Sequence, residues 1–165
     1  MRDFFNQIEE SIRANLYYVG LIGTLCIPDI CGAIDSEDGI GTKQKYIAWF
    51  DKYVGASYSR WLSGEDCYYF RCSLLHQGSS QHAKSTYSRI LFVEPTATSN
   101  VFHMNVFNGA LNIDVRLFCS EFIGWGRQWL SEVEGTERYK VNYDKFMRRY
   151  PNGLPPYIVG LPVIG

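Results

Sequence analysis

The residues with the greatest chemical potential lie in one short stretch, YYFRCSLLHQGSSQH, at positions 68–82. This stretch places Arg71, Cys72, His76 and His82 beside an apolar run. Their types are compatible with a catalytic apparatus, with a metal site, or with an ordinary amphipathic helix. The choice depends on the element that positions them.

The pattern predicts that most of this stretch is a helix from about residue 64 to residue 77. Ser63 is followed by an acid three residues later, which is typical of a capping box at the start of a helix. Gly78 is suited to the C-cap, because glycine adopts the left-handed conformation without steric cost. Helical geometry can therefore be applied to the polar residues of the stretch.

Arg71 is predicted to lie on the apolar side of this helix, near Cys67 and Leu74. An unpaired guanidinium is costly there, so Arg71 requires an anionic partner or a cleft that is open to water. His76 lies five residues further on, which is about 140° around the axis and about 7.5 Å along it. Because the arginine side chain is long, the two groups could still converge on one groove.

The segment Arg71-Cys72-Ser73-Leu74-Leu75-His76 resembles the R-x4-6-H motif of the HEPN superfamily. Three longer segments, GEDCYYFRCSLLHQGSSQ, SRILFVEP and ALNIDVRLFC, resemble a group of uncharacterised bacterial proteins with that arrangement, over roughly residues 15–130. The resemblance, together with the elements below, predicts a mainly α fold. We expect a single HEPN-like domain over residues 1–165, with a bundle of four to five helices and a small antiparallel β insertion near residues 87–113.

The resemblance implies a homodimer in which two R-x4-6-H elements face each other across a two-fold axis. It further implies a metal-independent endoribonuclease without a cofactor, acting in a toxin or defence context. In that chemistry His76 acts as general base or general acid, and Arg71 binds the scissile phosphate. The expected products are a 2′,3′-cyclic phosphate and a 5′-hydroxyl. Candidate contacts to the substrate are Ser73, His82, Lys84 and Arg89.

A catalytically inactive dimeric helical module is the alternative, and it would bind a nucleotide, RNA or a protein partner such as an antitoxin. Cys72 stands where active family members often carry Asn, Asp or His.

The same stretch allows two other interpretations. Zinc could use Cys67, Cys72, His76 and His82, but the two cysteines point in different directions on a helix. Nucleophilic catalysis by Cys72 with His76 lacks a recognisable oxyanion loop. We therefore predict no metal site.

Charge and composition set limits on the partners. The net charge of −1 excludes a globally basic nucleic-acid binder, so RNA binding must depend on a local patch. Residues 67–93 contain no acidic residue, whereas Asp29, Asp35, Glu37 and Asp38 are predicted to crowd a short loop upstream. The five cysteines, the absence of a secretory signal and the shortness of the longest apolar run, residues 16–27, favour a cytoplasmic protein without a membrane segment.

The remaining helices follow from apolar periodicity and from cap residues. Apolar positions from Phe5 to Val19 predict one long helix that ends near Ile27, because Pro28 should stop it. A second helix is predicted after Thr42, with an aromatic core face of Tyr46, Trp49, Phe50 and Tyr53. A further helix should follow Asp114 as N-cap, after a brief strand. A final helix is predicted at residues 142–150.

Two β-prone runs, residues 87–93 and 101–107, are predicted to form an antiparallel pair joined by a turn at residues 95–100. Asn108-Gly109 predicts another turn. The tail at residues 151–165 carries no charged side chain. Such a segment should dock on its own domain or on a partner.

Overall fold

The computed structural model describes residues 1–95 and 101–165, and the chain is mainly helical. The described helices are α1 (Arg2–Arg13), α2 (Tyr17–Ile34), α3 (Lys43–Tyr53), α4 (Gly55–Tyr58), α5 (Gly64–Gln77), α6 (Val115–Val133) and α7 (Glu137–Tyr143). The described strands are β1 (Arg89–Val93), β2 (Asn105–Phe107), β3 (Ala110–Asp114), β4 (Arg149–Tyr150), β5 (Gly153–Leu154), β6 (Ile158–Val159) and β7 (Val163–Ile164). The prediction of four to five helices is too low, since α4 and α7 are short additional helices.

The predicted single helix from residue 5 to residue 27 is wrong, because it is interrupted after Arg13 and its second part ends later than predicted. The chain breaks after Arg13, where Asn15 adopts a left-handed conformation with φ of 59°, which asparagine tolerates better than most residues. α2 then continues through Pro28 to Ile34. A proline inside a helix costs about 3 kcal/mol, but Pro28, Ile27 and Cys31 are buried, and this packing offsets the cost.

Three helices begin where their cap residues predict. The side chains of Thr42 and Ser63 accept hydrogen bonds from the N–H groups of Lys45 and Asp66. The Asp114 carboxylate accepts from the first-turn N–H groups of α6, at 2.9 and 3.1 Å. The aromatic face of α3 is buried as predicted. Local capping is therefore sufficient to place α3, α5 and α6.

The predicted antiparallel pairing of residues 87–93 with residues 101–107 is wrong. The strand order is β1-β3-β2, with β1 parallel to β3 and β2 antiparallel to β3. The Asn108-Gly109 turn is confirmed, since both residues have positive φ and join β2 to β3. Of the turn predicted at residues 95–100, residues 96–100 lie outside the described residues. The insertion is therefore a small mixed sheet, in which β3 pairs with both neighbours.

The end of the chain also differs from the prediction. α7 ends at Tyr143, before most of the predicted helix at residues 142–150. Its start is set by Thr136, whose hydroxyl accepts from the Tyr139 N–H at 3.1 Å. The uncharged tail forms short ladders, β4 with β7 and β5 with β6, and exposes large apolar side chains such as Tyr157 and Val159. Docking of a partner on these side chains stays a prediction.

Buried side chains from Met1 to Tyr139 form one hydrophobic core, and none of residues 151–165 belongs to it. α2 lies in this core against α1, α3 and α6. Among the described helices, α2 is the one that is long and apolar enough to cross a membrane. Eight of its 18 residues are buried in the core described above.

We expect Phe122→Ala to lower the free energy of unfolding by about 3–5 kcal/mol, because it leaves a cavity among aromatic rings. Phe122 is fully buried, and its ring centroid lies 4.4 Å from that of Phe118 and 5.9 Å from that of Phe50. Urea denaturation measures the change. The control Tyr157→Ala, in the exposed tail, should change stability by less than about 0.5 kcal/mol, and equal effects of both substitutions would contradict this core assignment.

Candidate functional site

The helix that carries the R-x4-H segment is α5, and its bounds match the prediction. Ser63 Oγ accepts from the Asp66 N–H at 3.0 Å at the start of the helix. Gly78 ends it in the left-handed conformation, with its N–H donating to the Leu74 carbonyl at 3.0 Å. Cys67, Phe70 and Leu74 form the buried face. α5 is thus fixed at both ends and along one side.

Arg71 has the anionic partner that its position requires. Its Nε atom lies 2.6 Å from Oδ2 of Asp29, and both side chains are about four-fifths buried. The sequence placed Asp29 in an acidic loop, but it belongs to α2, which extends beyond Pro28. The continuation of α2 therefore supplies the counter-ion of Arg71.

Burial and pairing act in opposite directions on this ion pair. Burial raises the pKa of the Asp29 carboxyl, although the Arg71 charge acts in the opposite sense. Burial also disfavours the charge of Arg71, but the Asp29 carboxylate and the Cys72 side chain together outweigh it and raise the pKa of the guanidinium. The arginine therefore remains charged, and Asp29 is the group whose ionisation responds to pH.

The ion pair lies in the wall of a cleft of about 420 Å³ between α2, the start of α3, α5 and the segment after α7. Its main polar lining residues are Asp29, Thr42, Tyr68, Arg71, Asn142 and Lys145. Asn142 is buried and donates to the carbonyls of Ile34 and Ser36, at 3.0 and 2.7 Å. Sequence reasoning missed Asn142 and Lys145 as site residues, because it assigned both to an amphipathic final helix.

His76 does not lie in this cleft. It is exposed near the C-terminal end of α5, about 140° around the helix axis from Arg71. Within residues 1–95 and 101–165, no hydrogen bond or ion pair joins His76 to Arg71. One protomer therefore presents the two groups of the motif on different sides of α5.

The four predicted substrate contacts have different surroundings. Ser73 is 2% exposed and faces the core, so it does not fit a role in contacting RNA. His82 is half-buried and its ring stacks on Tyr69, whereas Lys84 and Arg89 are exposed. His82, Lys84 and Arg89 thus remain available for contacts at the surface.

The cysteines of the stretch are separated by the helix. Cys67 is buried, with its Sγ 3.3 Å from the Tyr46 hydroxyl, and burial raises its pKa to about 12. Cys72 is half-buried, and Nη1 of Arg71 donates to its Sγ at 3.7 Å. No cluster of three metal-ligating side chains occurs in the described part of the chain. The zinc reading therefore lacks the convergence of ligands that it requires.

Comparison with known proteins adds no relative, because no family model, curated protein or solved structure matches this chain. Function must therefore be inferred from the residues of α5 and their surroundings.

We expect a double-mutant cycle with Asp29→Asn and Arg71→Gln to give a coupling free energy of about 1 kcal/mol at pH 7. Urea denaturation of the four proteins measures it. Because burial raises the pKa of Asp29, the folded protein takes up this proton at a higher pH than an exposed carboxyl does. The coupling should therefore decrease as the pH falls through that raised pKa.

The exposed pair Lys140–Glu137 on α7 is a matched control. Its coupling should be at most about 0.5 kcal/mol at pH 7, because solvent screens both charges. Additive effects of the Asp29 and Arg71 substitutions at pH 7 would contradict the assigned ion pair.

Proposed function

We propose that this protein is a homodimeric, metal-independent endoribonuclease of the HEPN type that acts in the cytoplasm. The proposal combines the resemblance of residues 71–76 to the R-x4-6-H motif with the positions of its two defining side chains. Arg71 lines a polar cleft, and His76 is exposed on the same helix. Both groups are therefore accessible from the surface of α5 without unfolding the core.

In the proposed reaction, His76 removes the proton from a ribose 2′-hydroxyl or protonates the leaving 5′-oxygen. An exposed imidazole is suited to both tasks, because histidine serves as either general acid or general base. Arg71 binds the scissile phosphate and stabilises the charge that develops on its oxygens. The 2′-oxygen bonds to phosphorus while the 5′-oxygen leaves, which yields a 2′,3′-cyclic phosphate and a 5′-hydroxyl.

The observation that carries the proposal is the divergence of Arg71 and His76 on one helix. A separation of about 140° directs them to different sides of α5, and Asp29 holds Arg71 on the inner side. One protomer cannot bring both groups to the same phosphate in this arrangement. A two-fold dimer can, because the partner's α5 supplies the missing group across the axis.

A second candidate is a catalytically inactive dimeric module that binds a nucleotide, RNA or a protein partner such as an antitoxin. The Asp29–Arg71 ion pair favours this alternative, since a phosphate would have to compete with a largely buried carboxylate for the guanidinium. In that case Arg71 stabilises the fold and the cleft.

We expect the purified protein to cleave RNA in the presence of EDTA, and Arg71→Ala and His76→Ala each to reduce the rate by at least about 100-fold. Gel analysis of a labelled oligonucleotide measures cleavage and identifies the cyclic phosphate. Size-exclusion chromatography with light scattering should show an intact dimer for both variants. Cleavage retained by either variant would point to a contaminating nuclease, and the inactive module would then be the better description.

We further expect activity to return when Arg71→Ala and His76→Ala protomers are combined in one heterodimer. If each site uses Arg71 of one protomer and His76 of the other, one of the two sites in this heterodimer retains both groups. Its activity should be about half that of the wild-type dimer. A heterodimer as inactive as its parents would exclude a site shared between protomers.

A further inference from the structure

The outer face of α5 carries an aromatic stack that the predicted motif does not include. The rings of Tyr69 and His82 are nearly parallel, with an interplanar angle of 7° and a centroid separation of 4.5 Å. Tyr69 belongs to α5, whereas His82 belongs to the loop that follows it. Both side chains are partly exposed, so the stack lies at the surface.

The stack is held in place by the buried carboxylate of Asp66. Asp66 accepts from the Thr86 N–H at 2.7 Å, from the Thr86 hydroxyl at 3.0 Å and from the Ser85 hydroxyl at 3.2 Å. These charge-assisted bonds tie the loop to the first turn of α5. Within the loop, the Lys84 N–H donates to Nδ1 of His82 at 3.1 Å. His82 is therefore positioned before any ligand arrives.

The charged groups around the stack favour the binding of an anionic polymer. Nζ of Lys84 lies 5.9 Å from the centre of the Tyr69 ring, and no carboxylate pairs with it in the described part of the chain. Lys43 donates to the Tyr69 hydroxyl, although Glu65 offsets its charge. Residues 67–93 contain no acidic residue, and the acid nearest to the stack is the exposed Glu65, which accepts from the Tyr69 hydroxyl at 2.9 Å.

The stack lies in line with His76 along the outer face of α5. Tyr69 and His76 are seven residues apart, so they lie within about 20° of each other around the axis and about 10.5 Å apart along it. Ser73, four residues after Tyr69 and three before His76, lies on the same side of the helix and is 2% exposed. This side of α5 is therefore covered between the stack and the imidazole.

We propose that the Tyr69–His82 stack binds an unpaired base of single-stranded RNA, which stacks on the His82 ring, while Lys84 contacts the adjacent phosphate. Stacking on aromatic rings requires a free base face, and a base inside a duplex has none. The placement of this base beside the cleaved bond rests on the proposed function of His76. The stacking does not depend on cleavage.

Fluorescence anisotropy of the His76→Ala protein in EDTA, with a labelled 12-nucleotide single strand and the corresponding duplex, tests the proposal. The single strand should bind at least about ten-fold more tightly than the duplex. Tyr69→Ala and His82→Ala, each in this background, should weaken single-strand binding by about 5- to 150-fold, the expected loss of one base stack. Tyr69→Phe and His82→Phe retain a ring and should bind within about two-fold of the parent.

Two exposed residues away from α5 provide matched controls, Tyr157→Ala in the tail and Lys140→Ala on α7. Neither should change binding. Lys84→Ala should weaken the binding of all single strands to a similar extent. It should also reduce the slope of log affinity against log salt concentration by about one. Circular dichroism establishes that each variant is folded.

Equal affinity for duplex and single strand, or equal affinity of Tyr69→Ala and Tyr157→Ala, would overturn the proposal. Its failure is distinguishable from failure of the proposed function. RNA cleavage that does not depend on Tyr69 and His82 would contradict the stacking site but not the proposed endoribonuclease. If binding depends on the rings of Tyr69 and His82 but the unmodified protein does not cleave RNA, the result supports the stacking site and contradicts the endoribonuclease.

Discussion

The ion pair between Asp29 and Arg71 is the contact on which the candidate site depends. It joins α2 to α5 in the wall of the cleft and compensates a guanidinium that lies on a largely buried helix face. The pair exists because α2 continues through Pro28 and carries Asp29 on its later turns. The length of α2 therefore determines the electrostatic environment of α5.

α5 separates two kinds of surface. Arg71 and its carboxylate face α2 on one side, whereas His76 and the Tyr69–His82 stack lie on the outer side. This separation is imposed by helical geometry, since residues five apart in sequence diverge by about 140°. The proposed endoribonuclease requires a second copy of α5 to bring the two groups together. The inactive module needs no such arrangement, because Arg71 is already paired.

Acidic residues near the site serve as internal anchors. Asp66 has its oxygens engaged by the loop that carries His82, and Asp29 is engaged by Arg71. The outer face of α5 consequently lacks strong negative charge apart from Glu65. The uncharged tail has a different character, because it exposes apolar side chains such as Tyr157 and Val159 without contributing to the core. Apolar surface of this kind is typical of an interaction surface.

The sequence by itself determined the elements whose signals are local. Thr42, Ser63 and Asp114 cap helices through bonds within three residues, and the Asn108-Gly109 turn follows from backbone preferences alone. Such contacts join residues at most three apart, so the residue types and their spacing are sufficient to predict them. The sequence also predicted that Arg71 needs an anionic partner, because the cost of an unpaired charge follows from its position on the helix.

Only the tertiary structure decided which carboxylate meets Arg71, where α1 ends and α2 begins, and that β1 runs parallel to β3. Each of these depends on packing between segments far apart in the chain. Burial of α2 offsets the cost of an interior proline, and pairing with β3 sets the direction of β1. The divergence of His76 from the cleft has the same origin, since the core fixes which face of α5 is turned inward.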